Sequence, residues 1–327
     1  MPFDHCSARE GLPECWMTVG HRSTATVVPS AGMNLVVLSA DGEDHLVMPA
    51  PLPEFMKTPR TGGVPLLHPW ANRLRGDRYR AAGREVDLSD HPRLKRDGSG
   101  LPMHGLLLRS DDWIVESSSM IGDDASVIQG SIDWNPESPC FDAFPFAHRL
   151  DVRWTVFEGS GAIVSARCDL LVEAGGGPVP LASGWHPYLR PSAGIDRSAI
   201  RIDLPRLRQA VLDDRGLPVL DGKGNPRLGP PIDVNGRMGD RVFDDLYRAP
   251  DGGWKAGLFG GDSIVEIEAD DSWPWLQVYS PAGSDFACIE PMLAPTASLS
   301  DGHARILDAG DSFDASFTLR ILEGEAS

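Results

Sequence analysis

The chain has 327 residues, 41% hydrophobic and 24% charged, with a formal net charge of −17. That length can bury a sizeable core, and the composition is globular rather than disordered. The acidic balance, with no long Lys/Arg run, excludes a nucleic-acid-binding protein. The opening stretch MPFDHCSAREGLPECW has no basic region and no apolar region. No segment approaches the roughly 18 uninterrupted apolar residues of a membrane span. The expectation is therefore a cytoplasmic protein without a membrane partner. Five cysteines (Cys6, Cys15, Cys140, Cys168 and Cys288), with no CxxC, point to reduced thiols rather than a disulfide framework or a zinc knuckle.

In chain order, strands are predicted over 22–29, 33–39, 78–82, 85–88, 111–118 and 126–134. The clearest signal follows. Leu150, Val152, Trp154 and Val156 alternate with Arg149, Asp151, Arg153 and Thr155. After the turn Glu158-Gly159-Ser160-Gly161, the residues Val164, Ala166, Cys168, Leu170 and Val172 alternate with Ser165, Arg167, Asp169 and Glu173. This is a hairpin with one buried wall and one wet wall. A loop at 174–178 leads to strands at 179–188, 198–203, 264–269, 275–280 and 285–290. The last strand sets Phe313, Ala315, Phe317, Leu319 and Ile321 against Asp314, Ser316, Thr318 and Arg320. Helical periodicity with caps is nearly absent, and 35 Gly and 28 Pro supply turns. The reading is one all-β domain over residues 1–327, a large antiparallel sandwich or barrel.

Several residues carry candidate chemistry. His186, in Trp185-His186-Pro187-Tyr188, ends the strand 179–188 before a proline that cannot extend a ladder. Its ordinary pKa suits proton transfer, the alternative being a packed, satisfied histidine. Glu290 follows apolar Ala287, Cys288 and Ile289, so a raised pKa and a role as base are expected, against a salt-bridged rim Glu. His104 precedes Gly105, which permits close approach of a ligand or backbone. Arg73, beside Asn72, offers several donors to vicinal hydroxyls, unless it forms a structural ion pair. Asp244 is a sugar-binding carboxylate or, on its own, a turn residue. Arg73, Arg75, Arg78 and Arg80 form an anion-binding cluster or a solvated strand edge. Asp244 with Glu290 also has the makings of a glycosidase pair. GxSxG, GxGxxG and P-loop motifs are missing, and His68, His91 and His104 lack metal-ligand spacing, so no cofactor or metal is expected.

The ordered set Asn72-Arg73, His104-Gly105, His186-Pro187-Tyr188, Asp244 and Glu290-Pro291 resembles the aldose 1-epimerase (galactose mutarotase) family over most of the chain. The resemblance implies a galactose-mutarotase-like β-sandwich with a site on a concave face. It further implies that His186 protonates the ring oxygen of a sugar and that Glu290 takes the proton from the C1 hydroxyl. His104 and Arg73 would hold the ring oxygen and neighbouring hydroxyls, and Asp244 would bind hydroxyls, with Asp245 in its place if the register differs by one. Two departures from the galactose-type pattern occur, Leu189-Arg190 after His-Pro-Tyr and Leu106-Leu107-Leu108-Arg109 after His-Gly. Both are similar to a divergent branch that includes the hexose-6-phosphate epimerases. The partner implied is a small sugar, and the assembly a monomer or homodimer. Alternatives are a phosphorylated or acidic sugar, met by Arg73, Arg109 or Arg190, and a non-catalytic carbohydrate-binding protein.

Overall fold

Period-2 patterning decides the architecture. In the computed structural model, which describes every residue except Glu10, Gly11, Pro59, Asp123, Ser160 and 325–327, His148–Gly159 and Ala162–Ala174 pair antiparallel, with Trp154 opposite Cys168 and Val152 opposite Leu170. Ser160 of the predicted turn lies outside the described residues. The apolar wall is buried throughout. The other wall is less wet than its residues suggest. Asp151 and Ser165 are buried, and Asp151 accepts from Arg149 Nε at 2.9 Å and from Gln129 Nε2 at 3.3 Å.

These two strands lie within a nine-stranded antiparallel sheet. Its order is 236–237, 201–203, 254–260, 263–269, 312–323, 162–174, 148–159, 125–134 and 114–121. An eight-stranded sheet runs 228–232, 207–210, 243–248, 275–280, 287–292, 184–185 and 66–67, with 188–189 also paired to 287–292. A five-stranded sheet holds 3–6, 15–19, 23–28, 34–40 and 43–44. Trp154 and Phe317 from the nine-stranded sheet meet Trp185 from the eight-stranded sheet edge-on, with ring centroids 5.6–5.9 Å apart. Trp154 Nε1 donates to Met33 O at 2.9 Å, so this ring is buried without losing its hydrogen bond. Full burial of each such ring contributes roughly 2–3 kcal/mol.

The sandwich expectation holds, with corrections in detail. The predicted strand 179–188 is three pieces, Val179–Leu181, Gly184–Trp185 and Tyr188–Leu189. The strand expected at 111–118 is Ile114–Ile121, and that expected at 285–290 is Ala287–Met292. Strands Leu207–Ala210, Leu228–Ile232, Phe243–Arg248 and Trp254–Gly260 had no clear pattern. Leu228–Ile232 contains Pro230 and Pro231 and forms a sheet edge, where proline is tolerated. Helix is confined among the described residues to single turns such as Leu52–Phe55 and Ser298–Asp301, and none is long and apolar enough to cross a membrane.

Candidate active site

Strand Ala287–Met292 sets the position of Glu290. Ala287 and Ile289 join the sandwich core, so alternation sends Cys288, Glu290 and Met292 to the opposite face. Glu290 stands opposite Gln277, Cys288 opposite Tyr279, and Tyr279 opposite Asp244. This corrects two expectations. Glu290 is not at a strand rim but mid-strand and 2% exposed. Asp244 is not a turn residue but lies in strand Phe243–Arg248. Its neighbour Asp245 accepts from Gln209 Nε2 at 2.7 Å and does not line the same cavity.

A second wall comes from two loop segments stitched together. Asn72 and His104 both adopt left-handed backbone, with φ of 54° and 65°. Asn72 O accepts the His104 N–H at 2.8 Å, and Arg73 bridges to Met103. Such backbone costs of order 1–3 kcal/mol per residue, so the surrounding contacts must hold it in place. Gly105 is required here. With φ of +69°, a Cβ would stand 2.2 Å from His68 O, which accepts the N–H groups of Leu106 and Leu107 at 2.7 and 3.2 Å. His186 follows strand Gly184–Trp185 and donates its backbone N–H to Pro65 O at 3.1 Å.

Asn72, Arg73, His104, His186, Asp244 and Glu290 line one cavity of about 310 Å³. That is the lower end of the range for small-ligand clefts. His186 Nε2 lies 3.4 Å from Glu290 Oε1. Tyr188 stacks flat on His186 at 4.6 Å, and His104 meets it edge-on at 5.2 Å. Arg73 gives Nε to Asp97 at 2.7 Å and one terminal N–H to Asn72 Oδ1 at 3.1 Å, with Asp244 at 3.7 Å. It is thus both the structural ion pair and the cavity-lining donor considered as alternatives.

Burial dominates the electrostatics. It raises the Glu290 carboxyl well above the ordinary range, helped by Asp244, while Arg73 and Lys95 pull the other way. It lowers His186 to about 3, aided by Lys95, and holds His104 well below its ordinary value, aided by His186. His186 and Glu290 stand at ion-pair distance, yet burial opposes both charges. We therefore read them as a pair that holds one proton between them at neutral pH. Moving it from Glu290 to His186 leaves the net charge unchanged. Glu290 Oε2, Gln277 Oε1 and both histidine Nδ1 atoms have no hydrogen-bond partner among the described residues. Orphaned buried polar atoms cost about 1–3 kcal/mol each unless a ligand meets them.

Of the wider arginine set only Arg73 reaches this cavity. Arg75 is held by Asp301 at 2.6 and 2.5 Å, and Arg78 by Asp87 at 2.8 Å, while Arg80 is exposed on the hairpin strand Arg78–Ala81. Arg109 donates to Arg60 O at 2.5 Å over the Phe55 ring. Arg190 donates to Asp44 O at 3.1 Å. No cluster of three or more potential metal ligands occurs among the described residues. Sequence reasoning missed Lys95, Asp97, Gln277 and Tyr279. Gln277 had a signal, a lone polar residue in the apolar strand Trp275-Leu276-Gln277-Val278. Asp97 reads as a turn residue and is one, its Oδ1 accepting from Ser99 and Leu101 at 2.9 Å.

Fold and cavity together define a galactose-mutarotase-like β-sandwich with an acid–base centre. The sequence matches the model of the aldose 1-epimerase family over residues 17–320, and the chain belongs to that family. It is an isomerase of the mutarotase kind. Among solved structures it is similar to a galactose mutarotase-like protein from Clostridium acetobutylicum (16% identity, 98% of each chain covered, TM-score 0.78). It is also similar to a galactose mutarotase related enzyme from Lactobacillus acidophilus (17% identity, covering 94% of this chain and 97% of that one, TM-score 0.68). A galactose 1-epimerase from Lactobacillus acidophilus NCFM matches at 13% identity, with 99% of each chain covered and a TM-score of 0.70. At these identities the likeness speaks to the fold. No curated protein matches the chain in sequence.

Proposed function

We propose that the enzyme interconverts the α and β anomers of a hexose or hexose derivative by acid–base ring opening, with His186 and Glu290 as the proton-transfer pair. The observation that carries this reading is the 3.4 Å approach of His186 Nε2 to Glu290 Oε1 inside the buried cavity. In the reactive arrangement Glu290 is a carboxylate and His186 carries the shared proton. Glu290 takes the proton of the C1 hydroxyl while His186 delivers its own to the ring oxygen, and the C1–O5 bond breaks. Rotation about C1–C2 presents the other carbonyl face. The ring closes as the O5 hydroxyl returns its proton to His186 and Glu290 returns its own to O1. Nothing is oxidised, so a positioned acid and base suffice.

The remaining roles follow from donor chemistry. His104 and Arg73 hold the ring oxygen and adjacent hydroxyls. Asp244, fixed by Gln277 Nε2 at 2.7 Å, accepts from hydroxyls, and Asn72 supports Arg73. The raised Glu290 pKa makes its carboxylate a stronger base than an exposed one. Five free cysteines fit a reducing, cytoplasmic setting.

The test is polarimetry of freshly dissolved α-D-glucose and α-D-galactose at low buffer concentration, with wild type and Glu290→Gln. Wild type should speed the approach to equilibrium. The variant should lose about 10²–10⁴-fold in kcat, the usual contribution of one acid–base group. A variant as fast as wild type would refute the role of Glu290.

A further inference from the structure

The cavity contains one cation that the acid–base reading leaves unused. Lys95 lies beside the His104 segment, its carbonyl accepting the Met103 N–H at 2.9 Å. Its ammonium makes no hydrogen bond and no ion pair with any described residue. The other cations lining the cavity are committed. Arg73 is held by Asp97, Asn72 and Asp244. Arg96 is held by Asp77 at 2.6 Å, Gly100 O at 2.8 Å and Ser89 O at 3.1 Å. Burial, then the like charge of Arg109, lowers Lys95 to about 8, so keeping it charged opposes a real penalty.

The charge balance sharpens the point. Arg73, Lys95 and Arg96 face Asp97 and Asp244, while His186 and Glu290 are neutral as a pair. The site is therefore one positive charge in excess, within a strongly acidic protein. We propose that Lys95 receives a single carboxylate carried by the substrate, so that the enzyme acts on a sugar acid of the hexuronate class in preference to the neutral hexose. This rests on the anomer-exchange reading and names its substrate. A phosphate ester fits less well. Its near-dianionic charge exceeds the surplus, and the bidentate arginine donors that suit its oxygens are already paired. A lone ammonium, a point charge with three rotatable donors, suits one carboxylate.

The experiment measures anomer exchange by NMR for glucuronate, galacturonate, glucose, galactose and glucose 6-phosphate, with wild type, Lys95→Met and Lys95→Arg. Calorimetric binding of the same sugars accompanies it. Wild type should show kcat/KM at least tenfold higher for a hexuronate than for its parent hexose. Lys95→Met should collapse that ratio towards one, chiefly through KM, and Lys95→Arg should restore most of it. The KM for the hexuronate should rise as pH passes about 8, where free Lys95 loses its proton. A wild-type ratio of one or less, a preference for the 6-phosphate, or a ratio unchanged in Lys95→Met would each overturn the inference while leaving the mutarotase reading intact. If no sugar exchanged faster, the mutarotase reading would fail. Binding would then decide the Lys95 subsite separately: tighter hexuronate than hexose binding that Lys95→Met abolishes supports it, and equal binding refutes it.

Discussion

A buried histidine chain lies behind the site, and its pH response can be worked out. His148 Nδ1–H donates to Phe146 O at 2.7 Å. That fixes the tautomer, so His148 Nε2 accepts from His68 Nε2–H at 3.0 Å, and His68 Nδ1 accepts from the Ser183 hydroxyl at 2.8 Å. Every ring nitrogen is satisfied only while both histidines are neutral. A proton added to either places two donors face to face in a pocket closed by Trp134 and Phe144. Burial accordingly lowers His148 from 6.5 to about 4. A depressed folded pKa means that the stabilisation is complete above the unfolded value of 6.5 and is lost as pH falls through about 4. Between pH 7 and pH 5 linkage gives a loss of about 2 kcal/mol from His148 alone, roughly a twentyfold change in the folded-to-unfolded ratio.

The perturbation is His148→Gln, which keeps an acceptor for His68 but cannot titrate. Urea unfolding of wild type and variant at pH 7 and pH 5 supplies four free energies. The variant is expected to be less stable at pH 7, yet its fall from pH 7 to pH 5 should be smaller than that of wild type by about 2 kcal/mol. Identical falls would refute the argument, since they would mean that His148 carries its proton equally well in both states. The consequence reaches the site. His68 O anchors the segment after His104, and Ser183 directly precedes Gly184-Trp185-His186. Protonating the chain loosens both walls of the cavity together.

Two further outcomes follow from backbone geometry and thiol pairing. Gly105→Ala should lower the thermal midpoint far more than Gly100→Ala. Both positions have positive φ, but only at Gly105 does a Cβ meet a backbone carbonyl, at 2.2 Å, while Gly100 faces open space. Equal shifts would show that strain at φ alone, about 1–2 kcal/mol, accounts for both. Cys6 and Cys15 are register partners across an antiparallel pair, where Cα separations permit a disulfide. Burial and Cys6 push the Cys15 thiol up to about 11, so exchange should be slow. Oxidised glutathione should nevertheless convert the pair to a disulfide, each step releasing one reduced glutathione. Thiol titration of the native protein should then lose both reactive groups, while Cys140, Cys168 and Cys288 stay buried and silent. Persistence of both thiols after prolonged exchange would count against the pairing.

What the sequence could disclose depended on whether a signal was local. The hairpin 148–174 was legible because alternation is a local pattern, and the burial of Leu150, Val152 and Trp154 follows from it. Phe243–Arg248 was not, because its two adjacent aspartates break the alternation. The resulting doubt over Asp244 ends with the register: Asp244 stands opposite Tyr279, and Asp245 turns to Gln209. His186 and Glu290 were singled out for the right chemistry but placed wrongly, at a sheet edge and a strand rim, because proline was read as a terminator. Pro187 instead separates two short strands, and Pro291 sits inside the ladder opposite Leu276.

The arginines show the opposite limit. Composition offered Arg73, Arg75, Arg78, Arg80, Arg109 and Arg190 as anion ligands, yet whether a guanidinium is free depends on partners far away in sequence. Asp301 captures Arg75 from 226 positions on, and Asp44 O takes Arg190 across 146. Lys95, in a stretch with no motif at all, is the cavity cation that those pairings leave over among the described residues. A pairing is a property of the fold, so the charge a site has to offer a ligand can be found only by removing every cation the fold has already used. That elimination moves the weight of substrate selection from the arginines to one lysine, where a single substitution can test it.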